Sequence, residues 1–444
     1  MNGGLSMVEM KSGYKMTEVG VIPEDWEVKN VSESCLIKAR IGWQGLKKTE
    51  YMSSGDYLLI TGTDFDNGQV NWRTCAYVSK ARYEQDSNIK IRPQDILISK
   101  DGTIGKVAYL GMIPKAGTLN SGIFVIRAND RKIDQVFLSK IFMSFYFEDF
   151  LNRLVAGSTI NHLYQKDFVK FCFPLPNSEE QTAIATALSD VDSLISALTK
   201  KIEKKKAIKQ GLMQQLLTGK KRLPGYEKNR ESVQTEWGAI PKDWKTLSIG
   251  KCCSIKARIG WQGLKKSEYL SSGEYVLVTG TDFLNGRINW KSCVYVSKKR
   301  YEQDANIQIA KHDILITKDG TIGKVAFLDD VPCLGTLNSG IFVVRSHSEE
   351  LDQCYLSKIF ESFIFDAFLE SLVAGSTINH LYQKDFVHFN FPVPPTISEQ
   401  TAIANILSDC DSEIAALEEK RDKYKEIKQG MMQQLLTGKI RLSK

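Results

Sequence analysis

Two dodecapeptides carry the residue types that hold nucleic acid. Ile37–Lys48 and Ile255–Lys266 both read IKARIGWQGLKK. In the first, Lys38, Arg40 and Lys47 supply cations for phosphates and Trp43 a flat face for stacking. Gln44 offers a donor and an acceptor that match an adenine edge bidentately. The second copy places the same chemistry at Lys256, Arg258, Lys265, Trp261 and Gln262. A packed tryptophan among solvated lysines is the plainer structural reading. The segment KDGTIGK sets Lys100, Asp101, Thr103 and Lys106 on a glycine-bearing turn, and repeats as Lys318, Asp319, Thr321 and Lys324. NSG contributes Asn120 and Asn338. GSTINHLYQK contributes Ser158, Thr159, Asn161 and Lys166, matched by Ser376, Thr377, Asn379 and Lys384. Hydroxyl, amide and ammonium donors of this kind position phosphates. A strand-connecting turn explains the glycines equally well, and helix capping explains GSTIN.

Other chemistry is missing. KDGTIGK is not a phosphate loop, because two residues rather than four separate Gly102 from Gly105 and Val107 follows Lys106. There is no GxGxxG after a strand, no GxSxG, and no DPPY or NPPY with which an amino-methyltransferase holds a flipped base. His162, His312, His347, His380 and His388 lack metal-ligand spacing. His162 and His380 match across the repeat and read as turn-side hydrogen-bonding residues. The nine cysteines contain no CxxC, so neither a zinc site nor a disulfide framework is expected. With no apolar run near the roughly 18 residues of a membrane span and no signal-peptide core, the chain reads as cytoplasmic.

The elements that position these residues are duplicated almost end to end. TGTDF, KDGTIGKVA, GTLNSGIFV and LVAGSTINHLYQKDFV all recur at an offset of 218 residues, becoming 219 after FPLP and FPVP. Such a period marks a duplicated domain pair, not a solenoid. Within each copy, Tyr57–Ile60, Asp95–Ser99, Gly122–Arg127 and Val169–Pro176 read as strands bounded by turn residues. One amphipathic helix is expected from Asp134, closed by Gly157. After the prolines, Ile184, Leu188, Val191, Ile195, Leu198 and Ile202 follow the 4-3-4 spacing of a coiled-coil seam, repeated from Ile403 to Leu435. A helix of about 38 residues is roughly 57 Å long and needs a partner, for which the other copy's helix is the obvious candidate. Lys205, Lys209, Arg421 and Lys428 interrupt the seam, as if the pair loosened there or another protein docked. The chain carries a net +7, and Thr199–Arg222 holds nine basic residues against Glu203 alone. That run is a solvated face or a contact for phosphates or an acidic partner.

Taken in order and twice over, PEDW or PKDW, DIL…KDGTIGK, AGSTINHLYQKDF, FPLP or FPVP, EQ and MQQLLTGK resemble the specificity subunits of type I restriction–modification enzymes. The resemblance covers essentially the whole chain. It implies an α+β architecture of two pseudo-symmetric mixed α/β target-recognition domains separated by two long antiparallel coiled-coil helices. The expected division is 1–178 and 223–397 for the recognition domains, 179–222 and 398–444 for the helices. It implies that each domain reads half of a bipartite DNA site and that the chain is not itself an enzyme. Double-stranded DNA, two modification subunits and motor–nuclease restriction subunits are the implied partners. S-adenosylmethionine, ATP and magnesium would reside on those partners, with no cofactor or metal here. Family members ordinarily carry unlike recognition domains; here the two are nearly the same, which points to an inverted-repeat target. Two other readings stay open: an interaction protein acting through its lysine-rich coiled coil, and a self-contained nuclease.

Overall fold

The run Ile96–Leu97–Ile98 is wholly buried, because its strand, Ile96–Ser99, is covered on both faces. It lies inside an antiparallel sheet ordered Val107–Tyr109, Ile96–Ser99, Ile123–Ala128, Cys35–Ala39. Side chains alternate across a strand. Ile96, Ile98, Phe124 and Ile126 therefore enter one core with Phe137, Ile141 and Phe147, while Leu97, Ile123 and Val125 enter another with Leu58, Ile60 and Leu119. The second core is closed by a three-stranded sheet in which Tyr57–Ile60 runs parallel to Gly117–Leu119 and antiparallel to Ala76–Val78. The computed structural model describes residues 12–155, 162–227, 231–373 and 380–442. Both sheets recur in the second copy around Ile314–Thr317 and Tyr275–Val278.

The helix expected from Asp134 is two helices, Gln135–Phe142 and Phe145–Val155. Asp134 caps the first, accepting the Phe137 N–H at 2.7 Å. The break falls at Ser144, whose hydroxyl donates to the Ile141 carbonyl at 2.6 Å and accepts from the Tyr146 N–H. These local bonds replace helical ones, and the bend sets Phe142 edge-on to Phe147 at 5.3 Å. Ser362 breaks the second copy in the same way. Gly157, the expected cap, lies outside the described residues.

Ser178–Leu216 and Ile397–Leu435 are continuous helices of 39 residues. The chain divides into two compact units, Met1–Leu198 with Lys420–Lys444, and Thr199–Glu419, so each unit holds the beginning of one long helix and the end of the other. In the first unit Ile184 and Leu188 share a core with Met432, Leu435 and Leu436, and Lys428 pairs with Asp192 at 2.6 Å. In the second, Ile403 and Leu407 pack with Met213 and Leu216. Both pairings run antiparallel.

The lysines in the seam do not loosen it. Lys205 meets Glu413 at 2.6 Å, and Lys209 meets Asp411 at 2.5 Å and Glu361 at 3.0 Å. Lys206 adds Glu418 at 2.6 Å. Burial works against the Asp411 carboxylate, but Lys358 and Lys209 outweigh it and hold its pKa below the ordinary value. Much of the basic run is thus neutralised by the other long helix.

A clasp explains three of the repeated motifs. In the first unit Trp26 of PEDW is fully buried and donates its indole N–H to Glu180 at 3.0 Å. Glu180, itself 0% exposed, also takes Arg441 through Nε at 2.7 Å and Nη2 at 2.9 Å, while Arg441 reaches Asp25. Gly438 of LLTGK has φ +68°, and a Cβ there would collide with Pro23. The second unit repeats the ion pairs and the glycine with Arg222, Glu399, Asp243 and Gly219, but there the buried Trp244 indole N–H has no hydrogen-bond partner among the described residues.

Candidate nucleic-acid interface

In the first unit the edge strand Cys35–Ala39 leaves Lys38 exposed beside the buried Ile37. Across the sheet, the strand Ile96–Ser99 ends at Lys100, whose ammonium stands 5.3 Å over the Phe124 ring. Between them opens a cleft of about 450 Å³ lined by Lys38, Arg40, Asp86, Asn88, Lys100 and His162, among others. His162 and Gln165 line one side, and the backbone there is tied to the strand end. The Leu163 N–H donates to the Lys100 carbonyl at 2.8 Å, Asp101 and His162 form a β-bridge, and the imidazole Nδ1 is hydrogen-bonded to the Asp101 carboxylate.

Arg40 lies beneath this cleft instead of reaching out of it. It is 2% exposed, donating to the Leu119 carbonyl at 2.8 Å and the Thr118 hydroxyl at 3.0 Å. Arg258 is held in the same way by Leu337 and Thr336. Both therefore depart from the expected phosphate contact. Burial, and then the charge of Arg82 or Arg300, lowers each guanidinium pKa from its usual value. The hydrogen bonds of Arg40 go to the Leu119 carbonyl, the Thr118 hydroxyl and the Gln85 amide oxygen, not to a carboxylate, so its charge adds to the positive potential of the cleft.

Gln44 and Gln262 depart too. Each is 6% exposed, and its side-chain oxygen has no partner among the described residues, so neither can lie flat on a base edge. Asn120 is occupied at both ends, donating to Tyr51 Oη at 2.6 Å and accepting the Gly122 N–H. Asn338 does the same with Tyr269 and Gly340. Asp101 and Asp319 serve His162 and His380. Lys47, Thr103, Lys106, Lys166, Lys256, Lys265, Thr321 and Lys384 are exposed, while Lys318 and Lys324 are half-buried. The turn at Gly105 is structural: φ is +81° and a Cβ would collide with Leu151. Trp43 and Trp261 sit in the single turns Gly42–Gln44 and Gly260–Gln262, their side chains outside what is described. Ser158, Thr159, Asn161, Ser376, Thr377 and Asn379 also lie outside the described residues. Asp86, Asn88 and Gln165 line the cleft without having been singled out from sequence. Their identity with Asp304, Asn306 and Gln383 is the signal that could have found them.

Every residue lining the cleft in the first copy recurs unchanged 218 positions later. The substitutions between the copies fall elsewhere. Asp66 and Gln69, replaced by Leu284 and Arg287, lie on the hairpin Phe65–Val70. In the second unit the matching hairpin faces the long helices, with Asn285 donating to Glu418 at 3.3 Å and Arg287 beside Asp329 at 4.0 Å. Arg92, replaced by Ala310, lines a different cleft with Lys132 and Ser178.

The family model of the type I restriction modification DNA specificity domain matches residues 23–210 and again 241–429. The chain belongs to this family. Each match begins at the proline of the clasp, Pro23 or Pro241, and takes in a recognition domain with most of the helix that follows. Two specificity subunits of Methanocaldococcus jannaschii are similar over nearly their full length. One, assigned to type I restriction enzyme MjaX, is 28% identical over 97% of both chains. The other, of type I restriction enzyme MjaVIII, is 27% identical over 95% of this chain and 94% of that one. In three dimensions the S subunit of the M. genitalium type I restriction–modification system superposes with a TM-score of 0.60 at 14% identity, covering 92% of this chain and 96% of that one. The specificity-domain fold is thus present twice. No helix among the described residues is long and apolar enough to cross a membrane.

Proposed function

We propose that this chain is the sequence-specific DNA-recognition subunit of a type I restriction–modification complex, each domain reading one half of a bipartite site. The observation that carries this is the cationic cleft of Lys38, Lys100 and buried Arg40, whose lining residues are repeated without change in the second family domain. The chain itself is non-catalytic. Two modification subunits methylate adenine N6 with S-adenosylmethionine, and restriction subunits supply ATP- and magnesium-dependent cleavage. The neutralisation of Lys205, Lys206 and Lys209 within the helix pair favours this reading over one in which a free lysine-rich coil is the active part.

The chain's net positive charge lies largely on the helix run Thr199–Arg222 rather than on the recognition domains, so the isolated chain binds DNA weakly and the modification subunits complete the clamp. Filter binding or fluorescence anisotropy, with and without purified modification subunits, checks this. Tighter, sequence-preferring binding in the complex is expected. Equal affinity and equal preference in both states would contradict it.

A further inference from the structure

We propose that His162 and His380 read an exocyclic amino group of the target, adenine N6 or cytosine N4, through imidazole Nε2. This rests on the reading of the chain as a DNA-recognition subunit. His162 lines the cleft, is about a third exposed, and has Nδ1 committed to Asp101. A neutral imidazole that gives its Nδ1 proton to a carboxylate keeps an acceptor lone pair on Nε2. The neighbours Lys38, Lys100 and Arg40 are donors only, suited to phosphates and to guanine O6 and N7. None of them can accept. In the major groove the hydrogen-bond donors on base edges are the amino groups of adenine and cytosine. Asp86, Asn88 and Gln165 also line the cleft and carry acceptor oxygens, but Asp86 Oδ1 already accepts from Asn88. The imidazole is the acceptor whose lone pair is fixed by a committed partner, and to it falls telling an amino-bearing base from a keto-bearing one.

The imidazole is held for this role. The β-bridge between Asp101 and His162 and the bond from Leu163 to Lys100 fix the loop against the strand end. Tyr164 flanks the imidazole with ring centroids 4.6 Å apart. His380, Asp319 and Tyr382 repeat the arrangement, with the ring pair at 4.5 Å. Asp101 and Asp319 are positioning residues, acting by selecting the tautomer.

The test uses the chain with its modification subunits on a duplex carrying the mapped target. Each adenine is replaced in turn by purine lacking the 6-amino group, and each cytosine by the pyrimidinone lacking the 4-amino group. For the native complex, one position in each half is expected to lose about tenfold in affinity when the amino group is removed, the scale of one hydrogen bond. In the pair His162→Asn and His380→Asn, the amide still donates to the aspartate but Nε2 is gone. That variant should bind the natural duplex about a hundredfold more weakly, about tenfold per half, and be indifferent to the analogue at those positions. In Asp101→Asn with Asp319→Asn the amide NH2 can donate to Nδ1, which favours the Nε2–H tautomer, so preference there should move toward a keto base. Thermal melting of each variant separates loss of reading from loss of fold. Unchanged discrimination at every position in the histidine variant overturns the inference, as does a uniform weakening that leaves all analogue ratios intact. A native complex with no sequence preference overturns the recognition reading along with it.

Discussion

Arg441→Ala is expected to cost the first unit roughly 3–5 kcal/mol of stability, the range for removing one partner of a buried ion pair. Glu180 is 0% exposed and loses both guanidinium bonds, keeping the Trp26 indole N–H and, at 3.4 Å, the Leu442 N–H. A carboxylate buried with too few partners is the large term. The pair's net contribution is smaller. Lys428→Ala is the control, because it removes a cation from the more exposed Asp192, which also has Lys140. It should cost at most about 1 kcal/mol. Arg222→Ala should affect the second unit as Arg441→Ala affects the first, since Arg222 holds Glu399 at 2.6 and 2.9 Å. Chemical denaturation followed by tryptophan fluorescence reports both, through Trp26 and Trp244. Equal, small losses for Arg441→Ala and Lys428→Ala would show that Glu180 rehydrates and that the clasp is not a main support.

Replacing Lys38, Lys100, Lys256 and Lys318 together by alanine is expected to have the largest effect on DNA binding. If each ammonium neutralises one phosphate, the slope of log K against log salt should fall in magnitude by roughly 3.6, at about 0.9 per contact. Extrapolated from 1 M to 0.1 M salt, that is on the order of a 10³-fold loss of affinity. The weakening should be nearly uniform across sequences, since phosphate contacts position without reading. Lys38 is exposed and Lys100 half-buried, so the folded stability should change little. Titrations of the complex at several salt concentrations give the slope directly. An unchanged slope would place the phosphate grip on another face.

How much of this was legible in the sequence depends on how local each feature is. The strands around Leu58, Ile98 and Phe124 announce themselves by short apolar runs between turn residues. The N-cap at Asp134 and the long seam from Ile184 are likewise written in neighbouring positions. The break at Ser144 was not legible, because the apolar pattern of Ile141, Phe142, Tyr146 and Phe147 continues through it. The burial of Arg40 depends on Leu119, 79 residues away. Strand alternation alone does not reveal it. The clasp depends on Arg441 meeting Glu180 across 261 residues. The interruptions at Lys205 and Lys209 looked like weak points only because Glu413, Asp411 and Glu361, which receive them, lie on distant segments. The duplication was the strongest signal, and it could have been used further. Residues identical in both copies but dispensable to the core, such as Asp86, Asn88 and Gln165, were findable by that comparison.

The central proposal is that the two recognition domains, whose cleft-lining residues are the same, read the same sequence in each half of an inverted-repeat target. Among the positions at which the copies differ, Asp66 and Leu284, Gln69 and Arg287, Arg92 and Ala310, and Gly111–Met112 and Asp329–Asp330 are local changes of character, and none of them lines the cleft of the first copy. Genome-wide mapping of N6-methyladenine in cells carrying this chain with its modification partner tests this most directly. The expected motif has two halves that are inverted repeats of each other, an unread gap between them, and one methylated adenine per half on opposite strands. An asymmetric motif with unrelated halves would contradict it, and would mean that the substitutions along the hairpins, not the shared clefts, read the bases.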